Sequence, residues 1–215
     1  MQKIDEYKVL EKVALEQGYT DAKVIPADQV VVEDRVRLRC MIGCPYYGKG
    51  LRCPPHTPSV DKFRKMLNEY SFAMVVKLKP SEVSNELKAK YNINMGEKST
   101  RLANQYQDID KISSMVWSDF SGHYRNSLMD LVELERAAFN LGYPFATVFF
   151  AGRCLLCEKC DVESGSCHNP VIARFSAESM GINLSKTVDN AGMELKFHTE
   201  EDPNSITPMA ILLID

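Results

Sequence analysis

The chain has 215 residues and a formal net charge of −3, with 45% hydrophobic and 26% charged residues. These proportions are typical of a globular protein, and a chain of this length can bury a core without help from a metal or disulfide. The absence of a strongly basic block argues against nucleic-acid binding. There is no apolar run of about 18 residues and no signal-like start, so we expect a cytoplasmic protein that does not enter a membrane.

The first half of the chain predicts helices and strands in alternation. Gly18 is a plausible end for the first helix, and Ser59 begins a later one. The valine-rich segment 22–40 predicts one or two short strands that lead into a group of cysteines. Helices are predicted at 3–17, 59–70 and 81–92, and a buried strand at 72–78.

The second half continues the alternation after a polar segment, 93–122, that has no clear pattern. Gly142, Gly181 and Gly192 are expected to end helices. Helices are predicted at 124–141, from Asn169-Pro170 to Met180, and at 185–191; strands are predicted at 145–151, 193–198 and 206–215. The pattern favours an α/β or α+β class. We expect one metal-binding domain, residues 1–215, with a mostly buried mixed sheet, flanking helices and two cysteine-bearing metal loops.

Seven cysteines fall into two groups that are separated by about a hundred residues. In a reducing compartment, clustered cysteines bind metal or perform redox chemistry more often than they form disulfides. An odd number also excludes complete pairing within one chain. The candidate metal and cofactor ligands are Cys40, Cys44 and Cys53 in the first group, and Cys154, Cys157, Cys160 and Cys167 in the second.

The second group has the spacing C-x2-C-x2-C-x6-C. Two consecutive two-residue spacings are typical of a loop that wraps a [4Fe–4S] cubane, because each thiolate must reach a different iron from one short arc. The group resembles the bacterial ferredoxin run in its first three cysteines and departs from it at the fourth. Zinc is the alternative, although structural zinc sites usually pair two separate C-x2-4-C elements. We expect all four thiols to serve one metal centre.

The first group, C-x3-C-x8-C, is less specific. Proline follows both Cys44 and Cys53 and stiffens the chain there. His56 can complete a three-cysteine zinc site, which leaves zinc and iron–sulfur both open. A purely structural alternative is that Cys40 is a small buried apolar residue and that the Cys-Pro-Pro segment is a rigid turn.

Two cubanes would need eight ligands, one more than the cysteines supply. The remaining iron would take His56, His168, water or a substrate, or Cys167 would serve the first group instead. We expect the open position in the first group, because the second group closes a short loop at a low entropic cost. Pro54 and Pro55 are expected to hold His56 away from the iron. The two groups are expected to be neighbours in the fold.

The elements "CPYYG…CPP", "CLLCEKC…C" and "ARFSAESMGINLSKTVDNAG" resemble those of the uncharacterised bacterial and archaeal family of predicted metal-binding proteins. The resemblance runs from about residue 20 to the end of the chain. It implies bound metal and no particular reaction.

Three functions follow from these features. The first is electron transfer or redox chemistry with one [4Fe–4S] cluster, or two if both groups bind one, alongside a redox partner protein. The second is an enzyme that uses a three-cysteine cluster with an open iron on a small-molecule substrate. The third is a structural zinc protein. No nucleotide-binding or common hydrolase motif is present. The cations that flank the cysteines are candidates for tuning a cluster: Arg39, Lys49, Arg52, Arg153 and Arg174.

Overall fold

The computed structural model of the protein describes residues 6–78, 109–195 and 208–215, without the side chains of 109–113, 115 and 116. The predicted helix at 81–92 and residues 196–198 of a predicted strand lie outside this part. The α-helices of the described part are α1 (Val9–Glu16), α2 (Asp34–Gly43), α3 (Val60–Leu67), α4 (Ile109–Asn140) and α5 (Leu184–Asn190). Its strands are β1 (Asp21–Pro26), β2 (Phe72–Lys77), β3 (Thr147–Phe150) and β4 (Met209–Ile214), and short 3-10 turns lie at Ala27–Gln29 and Glu178–Met180.

The four strands form one sheet in the order β1-β2-β4-β3. Asp21 pairs with Lys77, Phe72 with Ile214, and Thr147 with Leu213, and all three strand pairings are antiparallel. The combination of helices and one sheet in a single fold confirms the predicted class, but within the described residues the sheet is antiparallel throughout rather than mixed.

Helices cover both faces of the sheet, so the central strands β2 and β4 are buried on both sides. This burial explains why their sequences are nearly continuous apolar runs. One face packs against α1 and α4, in a core that includes Leu10, Ala14, Met74, Val76, Leu131, Leu134 and Leu212. The other packs against α3 and α5, in a core that includes Phe63, Leu67, Ala73, Val75, Val188, Ile211 and Leu213.

Several predicted elements are confirmed close to their expected ends. Ser59 caps α3 by accepting a hydrogen bond from the Lys62 N–H, as its position before the helix suggested. Gly18, Gly142 and Gly192 follow helices with positive φ angles. Helix α4 begins at Ile109, well before the expected start, within the polar segment that had no clear pattern. No helix within the described residues is both long and apolar enough to cross a membrane.

The segment before the first cysteines corrects a prediction. The valine-rich sequence indicated one or two short strands leading into the first cysteines, but residues 34–43 form helix α2, and Cys40 therefore lies on a helix. Only one valine, Val36, falls within these residues, and the arginines, Leu38 and Met41 are good helix formers. None of the side chains of α2 is buried, so local propensity rather than a buried face favours the helix.

The segment after the last cysteine corrects another prediction. Residues 170–177 do not form a helix; after a turn at Asn169, the chain runs beside β3. The Phe150 N–H donates to the Phe175 carbonyl and the Ala177 N–H donates to the Phe150 carbonyl, 3.3 and 3.2 Å respectively. These bonds satisfy backbone groups that a helix would have used internally. Only the final turn, Glu178–Met180, is helical, and Gly181 ends it with φ 84° as expected.

Candidate metal centre

The second cysteine group lies in the loop that leaves β3. A small apolar cluster of Leu128, Leu156 and Ala173, with Tyr124, Cys154, Cys157, Cys167 and Ile172 packed against it, holds this loop on α4. The buried leucines exclude water from the inner side of the loop, and the more polar side chains face outward. The loop that carries the closely spaced cysteines is therefore fixed to the long helix α4.

An ion pair reinforces the attachment of this loop to α4. The Arg174 Nε donates to Glu135 Oε1 at 2.8 Å, and the two side chains are 19% and 11% exposed. Glu135 Oε1 also accepts a hydrogen bond from the Val148 N–H in β3 at 2.6 Å. One carboxylate thus joins the helix, the strand and the end of the cysteine loop.

Hydrogen-bond donors point at three sulfurs of the second group. The Asn169 Nδ2 lies 3.2 Å from the Cys157 Sγ, and the Leu51 N–H donates to the Cys160 Sγ at 3.4 Å. The Tyr124 hydroxyl is hydrogen bonded to the Cys154 thiol. Donors of this kind stabilise a thiolate more than a thiol, which favours the form that binds metal.

The first cysteine group is also brought together. Cys40 lies in α2, Cys44 directly follows this helix, and Cys53 lies in a turn after it. The three thiols are close enough to influence one another electrostatically, and Cys154 of the second group acts on Cys53 as well. The expected proximity of the two groups is therefore confirmed by the fold.

Tertiary contacts hold the first group against the segment that follows the second. The Glu33 N–H donates to the Gly181 carbonyl at 2.8 Å, and the Asn183 N–H donates to the Val31 carbonyl at 2.7 Å. The Thr57 hydroxyl, which is buried, donates to the Ser179 carbonyl at 3.2 Å. Since these bonds lie on both sides of Cys40, Cys44 and Cys53, they fix the position of the first group relative to the second.

Gly181 makes this close approach sterically feasible. A Cβ at this position would lie 3.0 Å from the Val60 Cγ2 and 3.3 Å from the Glu33 carbonyl oxygen. Its φ of 84° is also in the left-handed region, where glycine carries no steric penalty.

A cavity of about 1050 Å³ lies between the two groups. The turn of residues 46–53 forms one wall, and residues 153–169 form most of the other. Five cysteines border it, namely Cys53, Cys154, Cys157, Cys160 and Cys167, whereas Cys40 and Cys44 lie outside its lining. The second group and one member of the first thus share a single space.

Burial governs the protonation of several of these thiols. It is the largest cause that raises the pKa of Cys53 to about 11, followed by the neighbouring Cys44, Cys40 and Cys154, while Arg153 acts in the opposite direction. Burial likewise raises the pKa of Cys40, Cys154 and Cys157. Without metal these four thiols therefore keep their protons at neutral pH, and metal binding would release them.

Both histidines near the cysteines have other partners. His56 is exposed, and its Nε2 lies 3.2 Å from the Gly48 carbonyl oxygen. His168 is exposed and its Nε2 lies 3.6 Å from Asp161 Oδ2. The placement of His56 is consistent with the expectation that it is held away from the thiols.

All seven cysteines are free thiols. Within the part of the chain that the structure describes, however, no three Cys, His, Asp or Glu side chains are arranged to hold a single metal ion. A tetrahedral zinc site requires its sulfurs to converge within about 4 Å of one another, because each Zn–S bond is about 2.3 Å long. A cubane spreads its ligands over several irons. The donor set, with thiols around a cavity and N–H groups directed at sulfur, is of the kind that supports a thiolate-bound metal centre.

Two donors at this site were not predicted from the sequence. Tyr124 lies on an amphipathic helix far from either cysteine group in sequence, and nothing in the local pattern distinguishes it from a packing residue. Asn169 was interpreted as a helix cap, but its side-chain amide donates to Cys157 instead. Its position two residues after Cys167 was the available indication.

Comparison with curated proteins and with solved structures finds no match. The family described as "Predicted metal-binding protein (DUF2284)" matches residues 23–214, which include both cysteine groups and all four strands except the first two residues of β1. This chain therefore belongs to that family of predicted metal-binding proteins.

Proposed function

We propose that the protein is a cytoplasmic iron–sulfur protein with a role in electron transfer or redox chemistry. Cys154, Cys157, Cys160 and Cys167 would hold one [4Fe–4S] cluster. Cys40, Cys44 and Cys53 would hold a second centre whose fourth position lacks a cysteine. The observation that carries the proposal is that the second group and Cys53 of the first line one cavity, where the Leu51 N–H from the first segment donates to the Cys160 Sγ.

The chemistry of the surrounding groups supports a thiolate-bound cluster. Donors from Tyr124, Asn169 and Leu51 would offset the negative charge of the sulfurs. The cationic side chains of Arg52 and Arg153 line the same cavity and would act in the same direction. A bound cluster would supply one-electron transfer at a potential that these contacts help to set. Free thiols throughout the chain agree with a reducing compartment.

The shape of the site also favours a second candidate, an enzyme that acts on a small molecule. Small-molecule sites commonly measure roughly 300–1000 Å³, and this cavity is slightly larger than that range. The His56 Nε2 lies 3.2 Å from the Gly48 carbonyl oxygen, so this nitrogen already has a hydrogen-bond partner. A centre there would keep a position for water or substrate. An electron carrier would need a partner protein, whereas an enzyme would need this open position.

The decisive experiment is purification under anaerobic conditions, followed by iron, sulfide and zinc analysis and electron paramagnetic resonance. We expect about four irons and four sulfides for each cluster, with a signal on reduction that is typical of [4Fe–4S] centres. Stoichiometric zinc without sulfide would contradict the proposal and establish the structural zinc alternative. Protein that contains neither metal after reconstitution with iron and sulfide would contradict both.

A further inference from the structure

We propose that Arg52 and Arg153 form a binding site for the carboxylate or phosphate group of a small-molecule substrate within the cysteine-lined cavity. The inference rests on the proposed function in its enzyme form, because it takes the bound anion to be the substrate of the metal centre.

The two arginines occupy equivalent places on the two walls of the cavity. Arg52 directly precedes Cys53 in the first segment, and Arg153 directly precedes Cys154 in the second. Both line the cavity. Cys53 and Cys154 line the cavity as well, so an anion bound there would share it with one thiol from each cysteine group.

Each of the two guanidinium groups stacks on the face of an aromatic ring. The Arg153 Cζ lies 4.0 Å from the centre of the Tyr46 ring, and the Arg52 Cζ lies 4.9 Å from the centre of the Phe175 ring. A stacked guanidinium uses its π face, while its N–H groups lie in the plane and point away from the ring. The stacking thus fixes the orientation of each group and leaves its edge available for hydrogen bonds.

Each guanidinium has a buried N–H without an acceptor. Among the described residues, the Arg52 Nε and the Arg153 Nη2 are shielded from solvent and make no hydrogen bond. A buried charged donor without a partner is destabilising, because it has lost its hydrogen bonds to water. No group among the described residues supplies this partner, and a ligand anion would do so.

Acidic residues of the cavity do not fill this role. Glu158 accepts a hydrogen bond from Ser114, and Asp161 accepts from the Ser164 N–H and interacts with His168. Glu163, the third acidic residue of the lining, is exposed, and none of the three carboxylates bonds the buried Arg52 Nε or Arg153 Nη2. A ligand oxyanion suits the arginines, because a planar guanidinium presents two parallel N–H groups to a carboxylate or phosphate.

The test is isothermal titration of the full chain with inorganic phosphate and, separately, with acetate, under anaerobic conditions. Metal-loaded and metal-free protein are both titrated, at an ionic strength held constant with chloride. We expect saturable binding of at least one of the two anions. Arg52→Gln and Arg153→Gln should each weaken that binding at least tenfold, with unchanged iron and sulfide content. Comparing the two anions distinguishes a phosphate site from a carboxylate site.

Arg136→Gln is the matched control, because Arg136 is an exposed arginine that pairs with Glu133 on α4. The Arg136→Gln protein should bind either anion with the same affinity as the wild type. If a glutamine variant fails to fold, as judged by circular dichroism, the corresponding lysine variant replaces it and should also bind more weakly, since lysine lacks the planar fork.

Two results would overturn the inference. The first is that neither anion binds saturably to the wild type, whether metal-loaded or metal-free. The second is that the wild type and the arginine variants bind the anion with equal affinity. A change in iron content or reduction potential with unchanged anion affinity would mean that the arginines serve only the metal centre. Failure of the proposed function is detected separately, because the wild type would then contain no iron and sulfide. In that case, titration of the metal-free chain still decides whether the arginines bind the anion.

Discussion

The backbone N–H of Leu51 lies 3.4 Å from the Sγ of Cys160, although the two residues are 109 positions apart in the chain. Leu51 belongs to the turn that leads to Cys53, and Cys160 is the third cysteine of the other group. This hydrogen bond makes the first segment part of the environment of the second group.

Substitution of single cysteines should separate the two groups spectroscopically. We expect Cys53→Ser to disturb the signal of one centre and leave that of the other, because Cys53 interacts with Cys40 and Cys44. Cys157→Ser, the matched substitution in the second group, should disturb the other centre. Iron content and electron paramagnetic resonance of the reduced protein measure both effects. Unchanged iron and spectra in Cys53→Ser would make the first group structural and remove the main support for an enzyme.

The Tyr124 hydroxyl is expected to tune a centre bound through Cys154. Tyr124→Phe removes a hydrogen bond to this sulfur and keeps the ring that packs against Phe150. Donors to cluster sulfurs stabilise the more negative reduced state, so the reduction potential should become more negative. Tyr70→Phe is the control, since this hydroxyl donates to the Phe145 carbonyl instead. A redox titration that gives the same potential for wild type and Tyr124→Phe would contradict the prediction.

The ion pair of Arg174 and Glu135 should contribute more to stability than an exposed pair on the same helix. Arg174→Gln leaves the mostly buried carboxylate of Glu135 without its guanidinium, and we expect a loss of about 2–4 kcal/mol in the free energy of unfolding. Arg136→Gln, which breaks the exposed pair with Glu133, should cost about 1 kcal/mol or less. Urea denaturation measures both. Equal losses would show that burial does not strengthen the effect of removing Arg174.

Gly181 should tolerate substitution less well than another glycine with a positive φ. Gly181→Ala adds a methyl group 3.0 Å from Val60 in a left-handed conformation, and we expect destabilisation of about 2–4 kcal/mol. At Gly192, with φ 67°, an added Cβ would meet nothing within 4 Å, so Gly192→Ala should cost only about 1–2 kcal/mol. Thermal unfolding of both variants gives the comparison. A similar cost at the two sites would mean that the contact with Val60 adds nothing.

Glu33 should make stability depend on acidic pH. Hydrogen bonds from Arg35, Lys186 and Asn183 lower its pKa from 4.5 to about 2. Because the pKa in the folded state is the lower one, the contribution is fully present above pH 4.5 and is lost as the pH falls towards 2. Denaturation between pH 2 and pH 6 should therefore show a shallower loss for Glu33→Gln than for the wild type. High salt should reduce the difference between them, since these charges are partly exposed; parallel curves at low salt would contradict the assignment.

The sequence by itself determined those features that depend on residues close together in the chain. Spacing alone placed Cys154, Cys157, Cys160 and Cys167 in one loop, and the capping position of Ser59 located α3. The apolar runs of β2 and β4 revealed buried strands, because a strand covered on both faces must be apolar at successive positions. Each of these signals arises within a few residues, where the backbone geometry limits the possible structures.

The tertiary structure alone decided which distant groups meet. The Leu51 N–H reaches the Cys160 sulfur, and Tyr124 reaches Cys154, only because the sheet and α4 place these segments side by side. Such contacts explain one incorrect prediction, because Phe175 and Ala177 exchange hydrogen bonds with Phe150 of β3 where a helix was expected. Helix α2, by contrast, follows a local helix propensity that the valine-rich pattern obscured. The physical reason is that contacts between remote segments depend on how the whole chain folds. The sequence of either segment alone does not show which distant residue it will contact.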